Sequence, residues 1–407
     1  MAVCSTKDKL IGILRGSGWG YRVVRWIYRA AFRARAELIR MLIPRRIFAG
    51  LPKGRFSLLE QVCSGGIPGR VIFENQDVRQ FGPDSLVKRS GLQQDGFQPW
   101  PVFIAQVRNA RLFGANLVLL NDRKEACREM MFASHCPATD ESYQVPIFET
   151  PMFLPGKWTS LVSRWDSGYW HFLMDAVPRL HALSEFSEDT GILLRGPVSA
   201  WQYEVLDMLG IRNRVRPTNE KHLMVEELCF SSHTSMTGAW NPFAVQFLRE
   251  RLLLQTEVVN CPLSVNRDLL TTQRPINSTT SPTKLFLKRG ASWTRGIRNQ
   301  DEVIRFFEER GWTAVEPEKF SVKEQIRMFS QVDAVCGAHG SALTNLLWMK
   351  PGAQVIELLA DNFMLGAFEW LACCVGLRHH YLVFPGDHRL SFSVDVKQLA
   401  KLVDAVL

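Results

Sequence analysis

Apolar residues recur at three- and four-residue spacing over Trp170–Ser184, Val198–Leu209 and Pro242–Gln255, the period of a helix with one buried face. Between them, Gly191-Ile-Leu-Leu194 and Glu227-Leu-Cys-Phe230 are short apolar runs that read as buried strands. Residues 56–150 read as short strands and turns, among them Arg70-Val-Ile-Phe-Glu74 and Asn116 to Leu120. A second alternating series begins at Leu285-Phe-Leu287, a strand. It continues with a helix over Asp301–Arg310 ending at Gly311, a strand over Trp312–Val315 and a helix over Val322–Ser330. Ala334-Val-Cys336, Ala342–Trp348 and Val355-Ile-Glu357 then read as strand, helix and strand. Residues 258–283, rich in Pro, Ser, Thr and Asn, separate the two series as a linker. The expected organisation is therefore an N-terminal segment over 1–55, an α/β domain over 56–257, the linker, and a second α/β domain over 284–407.

Composition changes this picture only at the edges. The chain has 407 residues, 46% hydrophobic and 22% charged, which is globular and excludes a disordered or collagen-like protein. Its 9 cysteines are scattered, without a C-x-x-C pair, so they read as reduced and mostly buried thiols of a cytosolic protein rather than a zinc site or disulfide framework. Asn277-Ser278-Thr279 matches a glycosylation sequon, which matters only in a secreted chain. No run of about 18 apolar residues and no continuous apolar segment near the start argues for a membrane span or signal peptide.

The formal charge of +9 is concentrated. Residues 1–55 hold 13 Lys and Arg against Asp8 and Glu37, a net of +11, so the remainder is slightly acidic. Arg22, Arg25, Arg29, Arg33 and Arg40 form one helical stripe, with Val23, Trp26, Ile27, Ala30, Leu38 and Met41 on an apolar side. Residues 19–47 thus read as a basic amphipathic helix on an anionic membrane surface. The alternative is a solvated helix docked on its own domain; nucleic acid is disfavoured because no reader motif accompanies the charge.

Three constellations carry candidate chemistry. His171, Asp175 and Arg179 lie at i, i+4 and i+8, although Pro178 can kink the helix. A carboxylate between an imidazole and a guanidinium is suited to general-base work, and equally to a surface ion pair. Lys288, Arg289, Arg295 and Arg298 follow a strand and precede a helix, where they converge on phosphate or form an ordinary basic loop. Val335-Cys-Gly-Ala-His-Gly-Ser-Ala-Leu-Thr-Asn345 joins a strand to a helix. There Gly337 and Gly340 permit a tight turn, and the N–H groups around Gly340, Ser341 and Ala342 open an anion site. His339 either bonds a phosphate oxygen or ties the loop together.

Taken together, these blocks resemble glycosyltransferase family 61 over about residues 165–385. The most specific part is Phe320-Ser-Val-Lys-Glu-Gln-Ile-Arg-Met-Phe-Ser330 running into Gly337–Asn345, Pro351-Gly-Ala and Ile356-Glu357. The family includes plant xylan glycosyltransferases, eukaryotic N-acetylglucosaminyltransferases and bacterial capsule-type enzymes. The resemblance implies a GT-B fold, with two Rossmann-like domains facing a cleft, a nucleotide-sugar donor (usually a UDP-sugar), inversion at the anomeric carbon, and neither cofactor nor catalytic metal. The chain accordingly contains no D-x-D.

The resemblance implies donor binding by Arg289, Arg295, Gly337, His339, Gly340, Ser341, Ala342, Asn345 and Glu357. Glu357, at a strand end, would bond ribose or sugar hydroxyls or else cap the next helix. Asp175 is the expected general base, oriented by His171, with His171 the second choice and Arg179 on the acceptor side. The chain departs from the family pattern at Arg295-Gly296 and Asn299-Gln300, where a paired arginine and an Asn-Glu step are expected. Lacking the anchor of eukaryotic members, it reads as a bacterial cytoplasmic enzyme of surface-polysaccharide synthesis. It would be peripheral at the inner membrane face and act on a glycan or lipid-linked glycan. The alternatives are a non-catalytic nucleotide-sugar or glycan-binding scaffold and a peripheral membrane adaptor.

Overall fold

A computed structural model of the chain describes residues 54–73, 85–90, 101–130, 150–234, 242–253, 283–290 and 295–407. The expectations for the basic segment up to Lys53, for residues 258–282 of the linker, for the sequon, and for Cys4, Cys136 and Cys261 lie outside the described residues. Among the described cysteines Cys127, Cys229 and Cys336 are buried thiols and Cys63 is an exposed one. Among the described residues no helix is long and apolar enough to cross a membrane. The chain is an α/β protein that divides into two compact units.

The first unit takes residues 54–73, 101–130 and 150–234. Its strands are β1 (Gly54–Phe56), β2 (Gly69–Phe73), β3 (Val102–Phe113), β4 (Val118–Leu120), β5 (Glu125–Cys127), β6 (Met152–Ser160), β7 (Gly191–Arg195), β8 (Val215–Thr218) and β9 (His222–Ser231). They form one mixed sheet in the order β1-β5-β4-β3-β9-β6-β7-β8, with β2 beside β3. β3 is antiparallel to β9, whereas β9, β6, β7 and β8 all run parallel. That parallel half carries the site, because loops leaving the carboxyl ends of parallel strands gather at one edge. The core against the sheet is built from Phe103, Leu112, Phe113, Leu193, Leu223 and Phe230, among others.

The helical segment expected over Trp170–Ser184 forms, but not as one α-helix. Tyr169–His171 is a single α-turn, Phe172–Ala176 is wound as a π-helix, and Val177–Glu185 is 3₁₀. The Val177 N–H reaches back to the Phe172 carbonyl, and Pro178 has no N–H to offer Met174, so the regular i to i−4 ladder cannot pass this point.

The second unit takes residues 85–90, 242–253, 283–290 and 295–407. Its strands are β10 (Lys284–Leu287), β11 (Thr313–Val315), β12 (Ala334–Ala338), β13 (Gln354–Ala360) and β14 (Arg378–Phe384). They form a wholly parallel sheet in the order β11-β10-β12-β13-β14. Parallel neighbours need crossovers, and helical segments supply them: Gln300–Glu308, Val322–Ser330, the 3₁₀ segment Ser341–Trp348 and Ala367–Val375. β12 is buried throughout and β13 almost so, which is why β12 is free of charged residues and β13 is apolar except at Gln354 and Glu357. Val322–Ser330 begins at a capping box of Ser321 and Glu324, and Gln300–Glu308 is closed by Gly311 at φ 77°.

Most of the expected elements are present. Ala342–Trp348, expected as an α-helix, is 3₁₀, and the last helix and strand pairs, Ala367–Val375 with β14 and Val396–Val406, had not been anticipated. The helical segment Pro242–Leu253 groups with the second unit rather than the first, and Arg249 Nη1 donates to the Leu347 and Met349 carbonyls.

Gly366 marks a close approach inside this unit. A Cβ there would lie 2.4 Å from Val87 Cα and 2.5 Å from Val87 N, both backbone atoms that cannot swing aside. Gly366→Ala should therefore cost about 1–3 kcal/mol as overpacking and lower the unfolding temperature by several degrees in a calorimetric scan.

Candidate functional sites

Each unit gathers charged side chains beyond the carboxyl ends of its parallel strands. In the second unit the organising group is Glu357. It had been expected at a strand end, but it lies in the middle of β13 with no exposed surface. Its Oε1 bonds His339 Nδ1 at 2.5 Å and its Oε2 bonds His379 Nε2 at 2.9 Å, so neither oxygen is available to a ribose or sugar hydroxyl. Burial by itself pushes the Glu357 carboxyl up, but the two histidines outweigh it and hold the pKa below the ordinary value. His379 comes from β14, whose His379 pairs in register with Val355, and no spacing in the sequence connects it to Glu357.

His339 sits directly after β12, with its ring edge-on to Phe363 and Phe368 at 5.4 and 4.9 Å. Gly340 follows and begins the 3₁₀ segment, leaving a helix N-terminus at the sheet edge. Gly337 packs close: a Cβ there would meet Leu287 Cβ at 3.0 Å. Ser341 is exposed and Ala342 half-buried at that N-terminus. Asn345 goes elsewhere. It is fully buried, and its amide donates to Gln325 Oε1 and the Ala342 carbonyl while its oxygen accepts from Trp348 Nε1.

The structure also sorts the four cations of the basic loop. Lys288 is paired with Glu316 at 2.8 Å and Arg298 with Asp387 at 2.8 Å. Arg289 instead turns to the glycine turn. Its Nη1 donates to the His339 and Arg295 carbonyls, and a Cβ on Gly340 would sit 3.3 Å from its guanidinium carbon. Arg295 carries a positive φ of 58° and lays its guanidinium 5.3 Å from the Phe363 ring centroid. Burial, and then the charge of Arg295, lower the Arg289 pKa to about 10. The Arg289 guanidinium thus lies at a helix N-terminus with the Arg295 charge acting on it, an arrangement that favours an anion. Gln300, the departure from the family pattern, accepts from the Arg289 N–H and donates to the Arg289 carbonyl, fixing that residue's backbone.

In the first unit, His171 Nδ1 bonds Asp175 Oδ2 at 2.7 Å, as the i, i+4 spacing predicts. Exposure reverses the order in which sequence ranks the pair. The Asp175 side chain is 1% exposed and the His171 side chain 22%, so the imidazole is the group a substrate could reach. Arg179 leaves the stripe, because the π and 3₁₀ winding breaks the helical phase. It is buried and donates from Nε to the Ser231 carbonyl at the end of β9. Burial lowers its pKa to about 10, opposed by the charge of Asp166.

Asp166, Arg195 and His233 also belong here, although sequence reasoning did not single them out. Asp166 Oδ1 accepts from Arg195 Nε at 2.9 Å and Oδ2 from the Ser163 N–H at 2.9 Å, knitting the loop after β6 to β7. Their signal is tertiary: no periodic pattern links residues 163, 166 and 195. Among the described residues, no group of three His, Cys, Asp or Glu is arranged to hold a metal ion.

An α/β chain whose parallel strands present guanidinium and imidazole groups at their carboxyl ends is compatible with the Rossmann-like glycosyltransferases. The family model described as Glycosyltransferase 61 matches residues 169–356, a span holding the His171–Asp175 pair, the basic loop and the glycine turn. Over that span the chain is similar to glycosyltransferase family 61. Over 102 residues, 23% of the chain, it is 28% identical to Beta-1,2-xylosyltransferase RCN11 of Oryza sativa subsp. japonica. Over 60 residues, 15% of the chain, it is 32% identical to a Beta-1,2-xylosyltransferase of Arabidopsis thaliana. The similarity spans 19% of the rice protein and 11% of the Arabidopsis protein.

Two histidines of the first unit make its stability pH-dependent. Burial lowers the His181 pKa to about 4, and burial with the nearby Arg179 charge lowers that of His233 to about 3. Both stay neutral when folded, while the unfolded chain takes up protons near pH 6.5, so their contribution is complete above pH 6.5 and is lost as pH falls toward 4 and 3. Each adds a slope of up to about 1.4 kcal/mol per pH unit in that window. Unfolding temperatures measured from pH 7 to pH 4 should fall, and His181→Gln should flatten the fall; an unchanged profile would contradict the assignment.

Proposed function

We propose that the chain is an inverting glycosyltransferase of GT-B type that moves a sugar from a nucleotide-sugar, a UDP-sugar by preference, to a hydroxyl of a glycan. The observation that carries this reading is the Arg289 guanidinium held against the Gly340 turn at a helix N-terminus, with the Arg295 charge near enough to act on it. A departing diphosphate gains negative charge as the glycosidic bond breaks. Two guanidinium groups and a helix N-terminus stabilise that charge more in the transition state than in the bound donor. Arg289, Arg295, His339, Gly340, Ser341 and Ala342 are assigned to the donor. Asn345 and Glu357 act at one remove: the first holds the 3₁₀ segment, and the second, with His379, orients the His339 ring through Nδ1 and leaves Nε2 for a phosphate or sugar oxygen.

In the first unit, His171 is assigned as general base and Asp175 as the buried carboxylate that orients it and stabilises the imidazolium. The acceptor oxygen attacks the anomeric carbon opposite the diphosphate, and its proton passes to His171 Nε2. The electron pair of the breaking carbon–oxygen bond leaves with the diphosphate, so the anomeric configuration inverts. The beta-1,2-xylosyltransferase names of the two relatives support a pentosyl donor, with UDP-xylose the first to try. A lipid-linked acceptor at a membrane face is the corresponding reading of residues 19–47.

The test is thermal stabilisation by a panel of nucleotide-sugars, including UDP-xylose, with and without EDTA. A ligand at 100 times its Kd adds about 2.7 kcal/mol, a readily measured shift. His339→Ala and Arg295→Gly should each abolish the shift; Arg295→Gly also suits the positive φ there, so it tests the guanidinium without unfolding the loop. No stabilisation of the native chain by any nucleotide would overturn the donor assignment. Asp175→Asn should keep donor stabilisation yet lower kcat by about 10²- to 10⁴-fold. An unaltered kcat would remove the His171–Asp175 pair from the reaction.

A further inference from the structure

The loop between β6 and the His171 turn holds a tryptophan in a costly position. Trp165 has φ 68°, in the left-handed region that a bulky L side chain rarely adopts, and the residue is 49% exposed. At Gly65, Gly114, Gly156, Gly210, Gly311, Gly352 and Gly376 the chain meets the same demand with glycine. Such a conformation is costly and persists only where the surroundings over-determine it.

The surroundings do so here. Asp166, 2% exposed, accepts from the Ser163 N–H and from Arg195 Nε, and its carbonyl accepts from Gln202 Nε2 at 3.0 Å. Arg195 Nη2 donates to the Ser163 carbonyl at 2.8 Å, and the Trp165 carbonyl accepts from the Gly168 N–H at 2.8 Å. These bonds anchor Trp165 and the residues flanking it. They lock the backbone, while the indole is turned outward instead of into the core. The ring is also oriented. Its centroid lies 5.0 Å from that of the His171 imidazole, tilted by 39°, and the Arg164 guanidinium sits 4.7 Å from the ring centroid.

We propose that Trp165 is a stacking platform for the acceptor sugar, a subsite that sets which hydroxyl meets His171. This rests on the glycosyltransferase reading, because it takes the acceptor to be a carbohydrate. A pyranose or furanose ring presents a face of C–H bonds, weakly positive and poorly hydrated, that packs on the electron-rich face of an indole. The sugar is offered the exposed part of the indole that the His171 imidazole and the Arg164 guanidinium leave uncovered, next to the imidazole. The rigid loop is pre-organised, so the sugar need not order it on binding.

The test uses the full chain on an immobilised panel of neutral oligosaccharides with pentose, hexose and N-acetylhexosamine termini, with stabilisation by UDP-xylose and other UDP-sugars measured in parallel. The native chain should bind at least one oligosaccharide. Trp165→Ala should weaken that binding about tenfold or more, and Trp165→Phe should restore it to within about threefold. Donor stabilisation should be unchanged in both variants. Trp165→Gly, which suits φ 68°, should unfold at the same or a higher temperature while losing glycan binding.

Native-like glycan affinity in Trp165→Ala, no oligosaccharide binding by the native chain, or a lowered unfolding temperature in Trp165→Gly would each overturn the platform. Failure of the transferase reading shows separately, as absence of donor stabilisation in the native chain whatever the state of residue 165.

Discussion

A carboxylate with no exposed surface survives in a protein interior only if its charge is answered at both oxygens, and Glu357 is such a group. Desolvating an unpaired carboxylate costs several kcal/mol, enough to consume much of a unit's stability. His339 and His379 remove that cost, and in doing so they are themselves placed. His339 is drawn inward by Nδ1 directly after β12, and the next residue, Gly340, has no side chain to exclude the Arg289 guanidinium. Arg289 then bonds the His339 carbonyl, closing a circuit from strand to histidine to glycine to arginine. The anion-attracting edge of the second unit follows from satisfying one buried charge.

The first unit reaches a comparable result by other means. Its parallel half delivers Ser160, Arg195 and Ser231 to one edge, where Asp166 is bonded by Arg195 and the Ser163 N–H. The approach to His171 is shaped by irregular winding. A π-turn puts Asp175 under His171, and 3₁₀ winding past Pro178 carries Arg179 away to the Ser231 carbonyl. Each unit therefore pairs a histidine with a more deeply buried carboxylate. In each, a non-glycine residue with positive φ stands nearby, Trp165 beside His171 and Arg295 in the loop packed against Arg289. Backbone strain of this kind is retained where rigid neighbours enforce it, and it turns side chains outward that the core does not need.

The sequence by itself determined the alternation of strands and helices in both series, the glycine that ends the helix at Glu308, and the His171–Asp175 contact. These depend on neighbours within about four residues, where periodicity and end chemistry act directly. Only the tertiary structure decided that Lys288 and Arg298 are spent on ion pairs while Arg289 turns to Gly340, that Asn345 is an internal brace, and that His379 completes the Glu357 pair. It also decided which of His171 and Asp175 is accessible, and that Trp165 faces outward. Burial and long-range partners depend on which strands lie side by side. β13 pairs with β14 across the Ala367–Val375 crossover, and that juxtaposition has no local signature in the chain.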